Sequence, residues 1–305
     1  MNFWRAIKGF SLSLIFLIFF AYLIYGGQEF LANFYQDQDK NLLLGSISAA
    51  AENVAPPAAA EPVVLAKSAI SVESGSWQGG GSPDKILFAK DTDAQLPIAS
   101  LTKLMTAVVV LDNYNLSDII TVDKLADAQD PMKLDVKLGD TMSVESFLDI
   151  MLVESSNKSA YALSEKMGES RFVSLMNKKA KGLDLNNTFF ADPTGLSSKN
   201  VSTANDLTKL AEYILRTYPQ IADISTKKEI TVPGFGRVAN TDQLLGEVPE
   251  IVCSKTGFTA AANGCLLLVT SNPKNNDYII NVILGADDRF AEMKKLINWS
   301  SSACQ

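Results

Sequence analysis

The segment PIASLTKLMTAVVVLDN, residues 97–113, places a serine and a lysine at the start of a long apolar run. Pro97 is tolerated at or just before a helix start, and the apolar spacing after it predicts a helix over about 99–113. Ser100 then lies in the first turn, where backbone N–H groups are unpaired and the helix dipole is positive. Because Lys103 follows three residues later on the same face, its amine is expected within reach of the Ser100 hydroxyl.

A Ser-x-x-Lys string is weak evidence by itself. It occurs five times in the chain, and a capping serine beside a solvated lysine is its commoner meaning. The string at Ser100 stands out because two polar strings follow it in order, Ser-Ser-Asn at 155–157 and Lys-Thr-Gly at 255–257. The five strings begin at Ser82, Ser100, Ser155, Ser225 and Ser271.

The 305-residue chain contains no histidine, which excludes Ser-His-Asp and Cys-His catalysis. An alcohol nucleophile therefore needs another base. A lysine amine is normally protonated, with a pKa near ~10.4, but burial and a second cation lower that pKa. Lys255 is the expected second cation for Lys103, so that one lysine acts as the base while the other stays charged.

The two downstream strings supply the other candidate site residues. The Ser155 hydroxyl both donates and accepts hydrogen bonds, so it can relay a proton. The Asn157 amide can hold a substrate carbonyl or fix the lysine base. Lys255 and Thr256 suit a carboxylate, and Gly257 lets a ligand backbone approach closely. Taken alone, each string also fits a polar helix terminus or a turn at a strand end.

The composition bounds the partners and cofactors. The net charge is −7, and there is no basic stripe, so we expect no nucleic-acid partner. The three cysteines lack paired ligand spacing, so we expect no metal and no cofactor. Cys253 and Cys265 could face each other across a hairpin, but two buried thiols and a loose Cys304 are the expected arrangement.

The N-terminus carries a membrane signal. Arg5 and Lys8 precede the apolar stretch 9–27, which is close to the roughly 20 residues that span a bilayer as a helix. We expect a transmembrane anchor with residues 1–8 in the cytoplasm and the rest of the chain outside the membrane. A cleaved signal peptide is the alternative, and both interpretations export the domain.

Residues 28–66 end in an Ala/Pro-rich segment and are predicted to form a stalk, with the catalytic domain at 67–302. Strands are predicted near both ends of that domain, with helices between them. The predicted strands are 68–74, 85–91, 229–234, 236–241, 251–258, 264–271 and 278–286. This order predicts an α+β fold whose N-terminal and C-terminal strands pair.

The order, spacing and flanks of these strings resemble the serine D-alanyl-D-alanine carboxypeptidases of peptidase family S11, the low-molecular-mass penicillin-binding proteins. The resemblance covers roughly 67–300. It implies a β-lactamase/transpeptidase-like fold, with an antiparallel sheet flanked by helices and a helical subdomain. The segments that carry it are PIASLTKLMTA, MLVESSNKSAYALSEKMG, FFADPTGLSSKNVSTANDLTKLAEYI, SKTGFTAAANGCLLLVTS and NVILGADDRFAEMKKLINW.

The resemblance implies acyl transfer on a peptidoglycan stem peptide. Ser100 would attack the carbonyl between the two terminal D-alanines, Lys103 would take its proton, and Ser155 would pass a proton to the leaving D-alanine. Water would then release the acyl-enzyme. A β-lactam would acylate the same serine and act as a covalent inhibitor.

The resemblance also implies the binding groups. Lys255 and Thr256 would hold the terminal carboxylate, and the backbone N–H groups of Ser100 and Phe258 would form the oxyanion hole. The chain departs from the family pattern at Ser-Ser-Asn, where many relatives have Ser-Gly-Asn, and at Lys158, which adds a cation near the site.

Three alternative functions are left open at this point. A DD-endopeptidase would cut peptidoglycan cross-links with the same residues. A class A β-lactamase would need a glutamate for deacylation, and no glutamate occurs at 171–211. A catalytically inactive penicillin-binding or sensor protein would be expected to lack a motif residue, and all of them are present.

Overall fold

The computed structural model describes residues 61–74, 84–128, 136–272 and 277–303. The predicted cytoplasmic segment, anchor and most of the stalk lie outside these residues. Among the described residues, none of the helices combines the length and the apolar composition that crossing a bilayer requires.

A five-stranded antiparallel sheet with strand order β2-β1-β11-β10-β9 forms the centre of the domain. Three two-stranded sheets, β3-β6, β4-β5 and β7-β8, lie outside it. The strands are β1 (Ser68–Ser74), β2 (Lys85–Lys90), β3 (Leu96–Pro97), β4 (Ile119–Thr121), β5 (Thr141–Ser143), β6 (Val201–Ser202), β7 (Glu229–Val232), β8 (Gly236–Ala239), β9 (Ile251–Thr259), β10 (Asn263–Ser271) and β11 (Tyr278–Ala286).

The helices cover both faces of the central sheet. Apolar residues of the larger cluster lie between the sheet and the helices α1 and α3–α7, and a smaller cluster packs against α8. The helices are α1 (Thr102–Asn113), α2 (Lys124–Asp127), α3 (Val144–Val153), α4 (Asn157–Glu165), α5 (Glu169–Gly182), α6 (Ala204–Thr217), α7 (Pro219–Ser225) and α8 (Arg289–Ala303).

The two ends of the domain pair with each other. β1 runs antiparallel to β11, from Ser68 opposite Leu284 to Ser74 opposite Tyr278. Side chains alternate along β11, since Val282 contributes to the larger cluster and Ile283 to the smaller one. The predicted α+β fold with paired terminal strands is therefore confirmed.

The start of the first long helix differs from the prediction. Residues Ala99–Leu101 form a 3-10 turn, and the α-helix begins only at Thr102. The cause is Ala99, whose φ of 46° turns the chain sharply after the β3 strand. Ser100 therefore lies in the tight turn that precedes α1 and not within the helix itself.

The domain begins to pack slightly before the predicted boundary at residue 67. Val64 is 3% exposed and belongs to the smaller apolar cluster. The Leu65 N–H donates to Glu292 Oε2 at 2.7 Å, and Lys90 Nζ donates to the Val64 carbonyl oxygen at 2.8 Å. These contacts hold the last residues of the predicted stalk on the domain surface.

The cysteines follow the expected arrangement where the structure describes them. Cys253 and Cys265 are free and buried. In the β9–β10 register Cys253 lies opposite Val269 and Cys265 lies opposite Gly257, so the two thiols do not face each other. Cys304 lies outside the described residues.

Candidate active site

The three strings identified in the sequence meet at one cleft of about 180 Å³. Ser100 comes from the turn before α1, and Lys103 comes from the first turn of α1. Ser155 and Asn157 come from the junction of α3 and α4, and residues 255–258 lie on the edge strand β9. The cleft is lined by Ser100, Ser155, Asn157, Gly195, Leu196, Thr241, Thr256, Gly257, Phe258, Thr259 and Arg289.

The amine of Lys103 is fully buried and has three hydrogen-bond partners. Its Nζ lies 3.0 Å from Ser100 Oγ, 2.7 Å from Asn157 Oδ1 and 2.6 Å from the Thr194 carbonyl oxygen. An ammonium ion occupies all three positions with its three N–H donors. A neutral amine keeps two N–H groups for the amide and carbonyl oxygens, which directs its lone pair at the serine hydroxyl. The neutral form is thus oriented to accept the Ser100 proton.

The surroundings of Lys103 favour that neutral form. Burial lowers the pKa of Lys103 well below its usual value, and the charge of Lys255 lowers it further, while Asp192 opposes the shift. The predicted effect of Lys255 therefore has the expected sign. The additional cation at Lys158 is buried and directs its Nζ to the Val136 carbonyl oxygen at 2.9 Å.

Lys255 is bound to Ser155. Its buried Nζ donates to Ser155 Oγ at 2.9 Å and to the Thr256 carbonyl oxygen at 3.1 Å. Burial and the nearby Arg289 lower the pKa of Lys255 to about 7, with Asp242 opposing them. At neutral pH both protonation states are accessible, so Lys255 can replace a proton that the Ser155 hydroxyl gives up. The expected contact of Lys255 with a substrate carboxylate stays a prediction.

Two non-glycine residues at the site have left-handed backbone conformations. Ala99, next to the nucleophile, has a φ of 46°, and Ser155 has a φ of 68°. Such conformations cost on the order of 1–3 kcal/mol each and persist where the surrounding structure imposes them. At Ser155 the short connection between α3 and α4 imposes this conformation. The next residue, Ser156, caps α4 by accepting the Ser159 N–H at 3.2 Å. The Ser-Ser-Asn string thus joins two helices.

Gly257 allows β9 to approach the turn that carries the nucleophile. A Cβ at this position would lie 3.0 Å from the Ile98 carbonyl oxygen and 3.1 Å from the Ser100 nitrogen. The sequence predicted close approach of a ligand backbone at Gly257. The structure shows a close approach of the protein's own backbone, which holds the Ser100 amide beside β9, while the approach of a ligand backbone stays a prediction.

The remaining residues of the third string face the cleft in different ways. Thr256 Oγ1 lies 2.5 Å from the Thr241 hydroxyl oxygen, so these two hydroxyls form one polar site at the end of β9. The Phe258 side chain is 61% exposed at the mouth of the cleft. The sequence analysis missed Thr241, which follows β8 and carries no motif that would have identified it.

Arg289 is a second residue that the sequence analysis missed. It starts α8, lines the cleft, and donates weakly from Nη1 to the Gly257 carbonyl oxygen at 3.4 Å. Its Nε is buried, and within the described residues it has no hydrogen-bond partner. Its stem passes over Gly264, where a Cβ would lie 3.1 Å from the Arg289 Cβ. The available signal was an arginine three residues after the end of the last predicted strand.

The fold and the cleft define a class of protein. A buried lysine beside a serine in a tight turn, with a second serine–lysine pair opposite, is the arrangement of a serine hydrolase that works without histidine. The architecture around it has the antiparallel sheet flanked by helices that the resemblance implies.

Comparisons with known proteins agree with this class. The family model described as D-alanyl-D-alanine carboxypeptidase, Peptidase_S11, matches residues 55–288. The chain is 35% identical to a D-alanyl-D-alanine endopeptidase of Escherichia coli over 269 residues, which covers 82% of each chain. It is 30% identical to the D-alanyl-D-alanine carboxypeptidase DacF of Bacillus subtilis over 253 residues, 78% of this chain and 62% of that one.

A solved structure shows the same fold. Penicillin-binding protein D2 of Listeria monocytogenes, in its ampicillin-bound form, superposes with a TM-score of 0.69 at 25% identity, covering 78% of this chain and 98% of that one. The chain therefore belongs to the D-alanyl-D-alanine carboxypeptidase family, peptidase family S11.

Proposed function

We propose that this protein is a serine DD-carboxypeptidase, which removes the terminal D-alanine from peptidoglycan stem peptides through an acyl-enzyme on Ser100. The observation that carries this proposal is the position of Lys103 Nζ, 3.0 Å from Ser100 Oγ and held by two other acceptors. The family to which the chain belongs has the same activity in its description.

In the acylation step, the neutral Lys103 amine takes the hydroxyl proton as Ser100 Oγ attacks the carbonyl carbon of the penultimate D-alanine. The negative charge that develops on the carbonyl oxygen is stabilised by the backbone N–H groups of Ser100 and Phe258. Donors of this kind contribute about 3–4 kcal/mol each in a transition state. Asn157 keeps the Lys103 lone pair directed at the serine throughout.

Departure of the leaving D-alanine requires a proton on its nitrogen. Ser155 donates its hydroxyl proton to that nitrogen and recovers one from the Lys255 ammonium group, which lies 2.9 Å from Ser155 Oγ. A pKa of about 7 for Lys255 makes this transfer feasible near neutral pH. Water then attacks the acyl-enzyme, and the proton flow runs in reverse.

The terminal carboxylate of the substrate fits the polar end of the cleft. The hydroxyls of Thr241 and Thr256 and the guanidinium of Arg289 face that end. Arg289 supports this placement because it lines the cleft and its Nη1 makes a long hydrogen bond of 3.4 Å to the Gly257 carbonyl oxygen, which a carboxylate could replace.

Replacing Arg289 with methionine is expected to weaken carboxylate recognition. Hydrogen bonds to charged groups contribute about 1.5–3 kcal/mol, so kcat/KM for a D-alanyl-D-alanine peptide should fall by about 10–100-fold. A peptide amide that lacks the carboxylate should show almost no difference between the variant and the wild type. Equal losses on both substrates would place the effect elsewhere in the site.

The experiment that tests the function compares two substrates. A stem pentapeptide should release free D-alanine, and a cross-linked dimer should be cut more slowly. The second candidate function, a DD-endopeptidase, is supported by the relative of that name in Escherichia coli. Faster cleavage of the dimer would establish that alternative, and no acyl-enzyme with any substrate would exclude both.

We also propose that β-lactams inhibit this protein by acylating Ser100. The ampicillin-bound relative from Listeria monocytogenes supports this proposal. A β-lactam presents a strained amide carbonyl and a carboxylate, which suit the oxyanion donors and the polar end of the cleft.

We propose further that the catalytic domain lies outside the cytoplasmic membrane on an N-terminal single-pass anchor. Support comes from the sequence of residues 9–27, with basic residues before it and acidic residues after it. Full-length protein should sediment with membranes and resist extraction by high salt. Recovery of a shortened chain in the soluble exported fraction would show that the segment is instead a cleaved signal peptide.

A further inference from the structure

A loop between α5 and β6, residues 191–200, is organised around one carboxylate. Asp192 Oδ1 accepts hydrogen bonds from the Thr194 N–H at 2.7 Å, the Thr194 hydroxyl at 2.6 Å and the Gly195 N–H at 2.7 Å. Asp192 Oδ2 accepts from the Ser197 N–H at 2.8 Å. Four donors converge on one side chain, so its removal would release the backbone of most of this loop.

The same loop is fixed to the elements that carry the catalytic groups. Thr106 on α1 donates its hydroxyl to the Pro193 carbonyl oxygen at 2.7 Å. The Ile98 N–H donates to the Asn200 carbonyl oxygen at 3.1 Å, and Asn200 Nδ2 donates to the Asp192 carbonyl oxygen at 3.1 Å. The Asp192 carboxylate therefore organises a loop that is also hydrogen-bonded to α1 and to the residues just before the Ser100 turn.

Two residues of the loop touch the catalytic pair directly. The Thr194 carbonyl oxygen accepts from Lys103 Nζ at 2.6 Å. Gly195, at a φ of +88°, packs against the turn so closely that a Cβ would lie 2.0 Å from the Ala99 carbonyl oxygen and 3.0 Å from the Ser100 nitrogen. A shift of this loop would move the acceptor that orients the lysine and the backbone that supports the serine.

We propose that Asp192 is a positioning residue for catalysis, because its carboxylate holds Thr194 on Lys103 and Gly195 against the Ser100 turn. This inference rests on the proposed role of Lys103 as the base. Asp192 acts through its neighbours and does not touch the reacting atoms.

Because Asp192 is charged, its removal should change the pH dependence of acylation, which the loss of a purely structural residue would not do. Asp192 raises the pKa of Lys103, against the lowering by burial and by Lys255 on β9. Of the other charged groups around this site, Lys158 on α4 binds the Val136 carbonyl oxygen, and Glu154 is buried at the end of α3.

Two further charged groups, Arg289 and Asp242, shift the pKa of Lys255. Asp192 is thus the carboxylate whose loss is expected to lower the pKa of Lys103. Since the rate of acylation rises as this amine loses its proton, the acid limb of the pH profile should then move to lower pH.

The experiment measures the acylation rate with a fluorescent penicillin from pH 5 to pH 10. Asp192→Asn keeps the shape of the side chain and removes its charge. Asp206→Asn is the matched control, because the buried Asp206 also binds loop backbone, accepting the Asn187 N–H at 2.8 Å, but lies outside the catalytic contacts. Thermal unfolding of each variant is recorded in parallel.

Asp192→Asn is expected to move the midpoint of the acid limb to lower pH and to lower the plateau rate by ~10–100-fold. Asp206→Asn should keep the wild-type midpoint. An Asp192→Asn variant with the wild-type midpoint would overturn the inference.

If Asp192→Asn does not fold, Asp192→Glu tests the positioning role of Asp192 instead. It keeps the charge and disturbs the geometry, so a wild-type midpoint with a reduced plateau supports the inference, and a wild-type plateau contradicts it. A wild type that is never acylated would instead refute the proposed function.

Discussion

Replacing Ser100 with alanine is expected to abolish acylation by penicillin and to lower peptide hydrolysis by about 10⁴–10⁶-fold. The reason is that the covalent intermediate forms on this hydroxyl, and losses of that size follow removal of a nucleophile that works as a unit with its base. The loss of the hydroxyl should hardly affect the fold, because Lys103 Nζ keeps its hydrogen bonds to Asn157 Oδ1 and the Thr194 carbonyl oxygen. Intact-protein mass spectrometry after incubation with penicillin measures the result directly.

The exposed Ser198 supplies the control for that experiment. Ser198→Ala should acquire one penicillin mass at the wild-type rate, whereas Ser100→Ala should acquire none. Peptide mapping of the wild-type adduct should place the added mass on the peptide that contains Ser100. An adduct on any other serine, or full labelling of Ser100→Ala, would show that the nucleophile has been misassigned.

Replacing Lys103 with methionine is expected to lower the acylation rate by about 10²–10⁴-fold, the usual contribution of a general base. Methionine has a similar length, so it fills the buried site without an amine. The Asn157 and Thr194 oxygens lose their donor in this variant, which costs part of the free energy of unfolding. The measurement is the rate of penicillin acylation at saturating and subsaturating concentrations, with the exposed Lys199→Met as the control.

Lys103→Met should also change how the free energy of unfolding depends on pH. Folding lowers the pKa of Lys103, so the unfolded chain binds a proton more readily at this lysine than the folded protein does. The neutral amine therefore adds stability to the fold above ~10.4, the ordinary pKa of lysine, and this stability is lost as the pH falls from there through the lowered pKa. Lys103→Met has no such group. Its free energy of unfolding should therefore decrease less on acidification than that of the wild type, which urea titrations at several pH values would show.

Local features of the site could be predicted from the sequence because they depend on spacing along one element. Ser100 and Lys103 lie on consecutive turns of a single segment, and their spacing alone places the Lys103 amine 3.0 Å from the Ser100 hydroxyl oxygen. The order of strands and helices likewise followed from their periodicity, including the pairing of β1 with β11.

What the sequence could not supply depends on contacts between distant segments. The third acceptor on Lys103 is a backbone carbonyl at Thr194, which any residue type provides, so no side-chain pattern indicates it. Arg289 reaches the cleft because Gly264 leaves room above β10, and Lys255 faces Ser155 because the fold brings β9 beside the junction of α3 and α4. The tight turn at Ala99 also depends on its neighbours, since Gly195 and Gly257 pack against it.

The central claim is that a lysine amine which has lost its proton in the folded protein activates the serine beside it. The pH dependence of penicillin acylation by the wild type tests this most directly. The account predicts an acid limb with a midpoint well below ~10.4, the ordinary value for lysine, and the loss of that limb in Lys103→Met. A wild-type rate that rises only above pH 10, or a methionine variant with the same rate and profile, would contradict it.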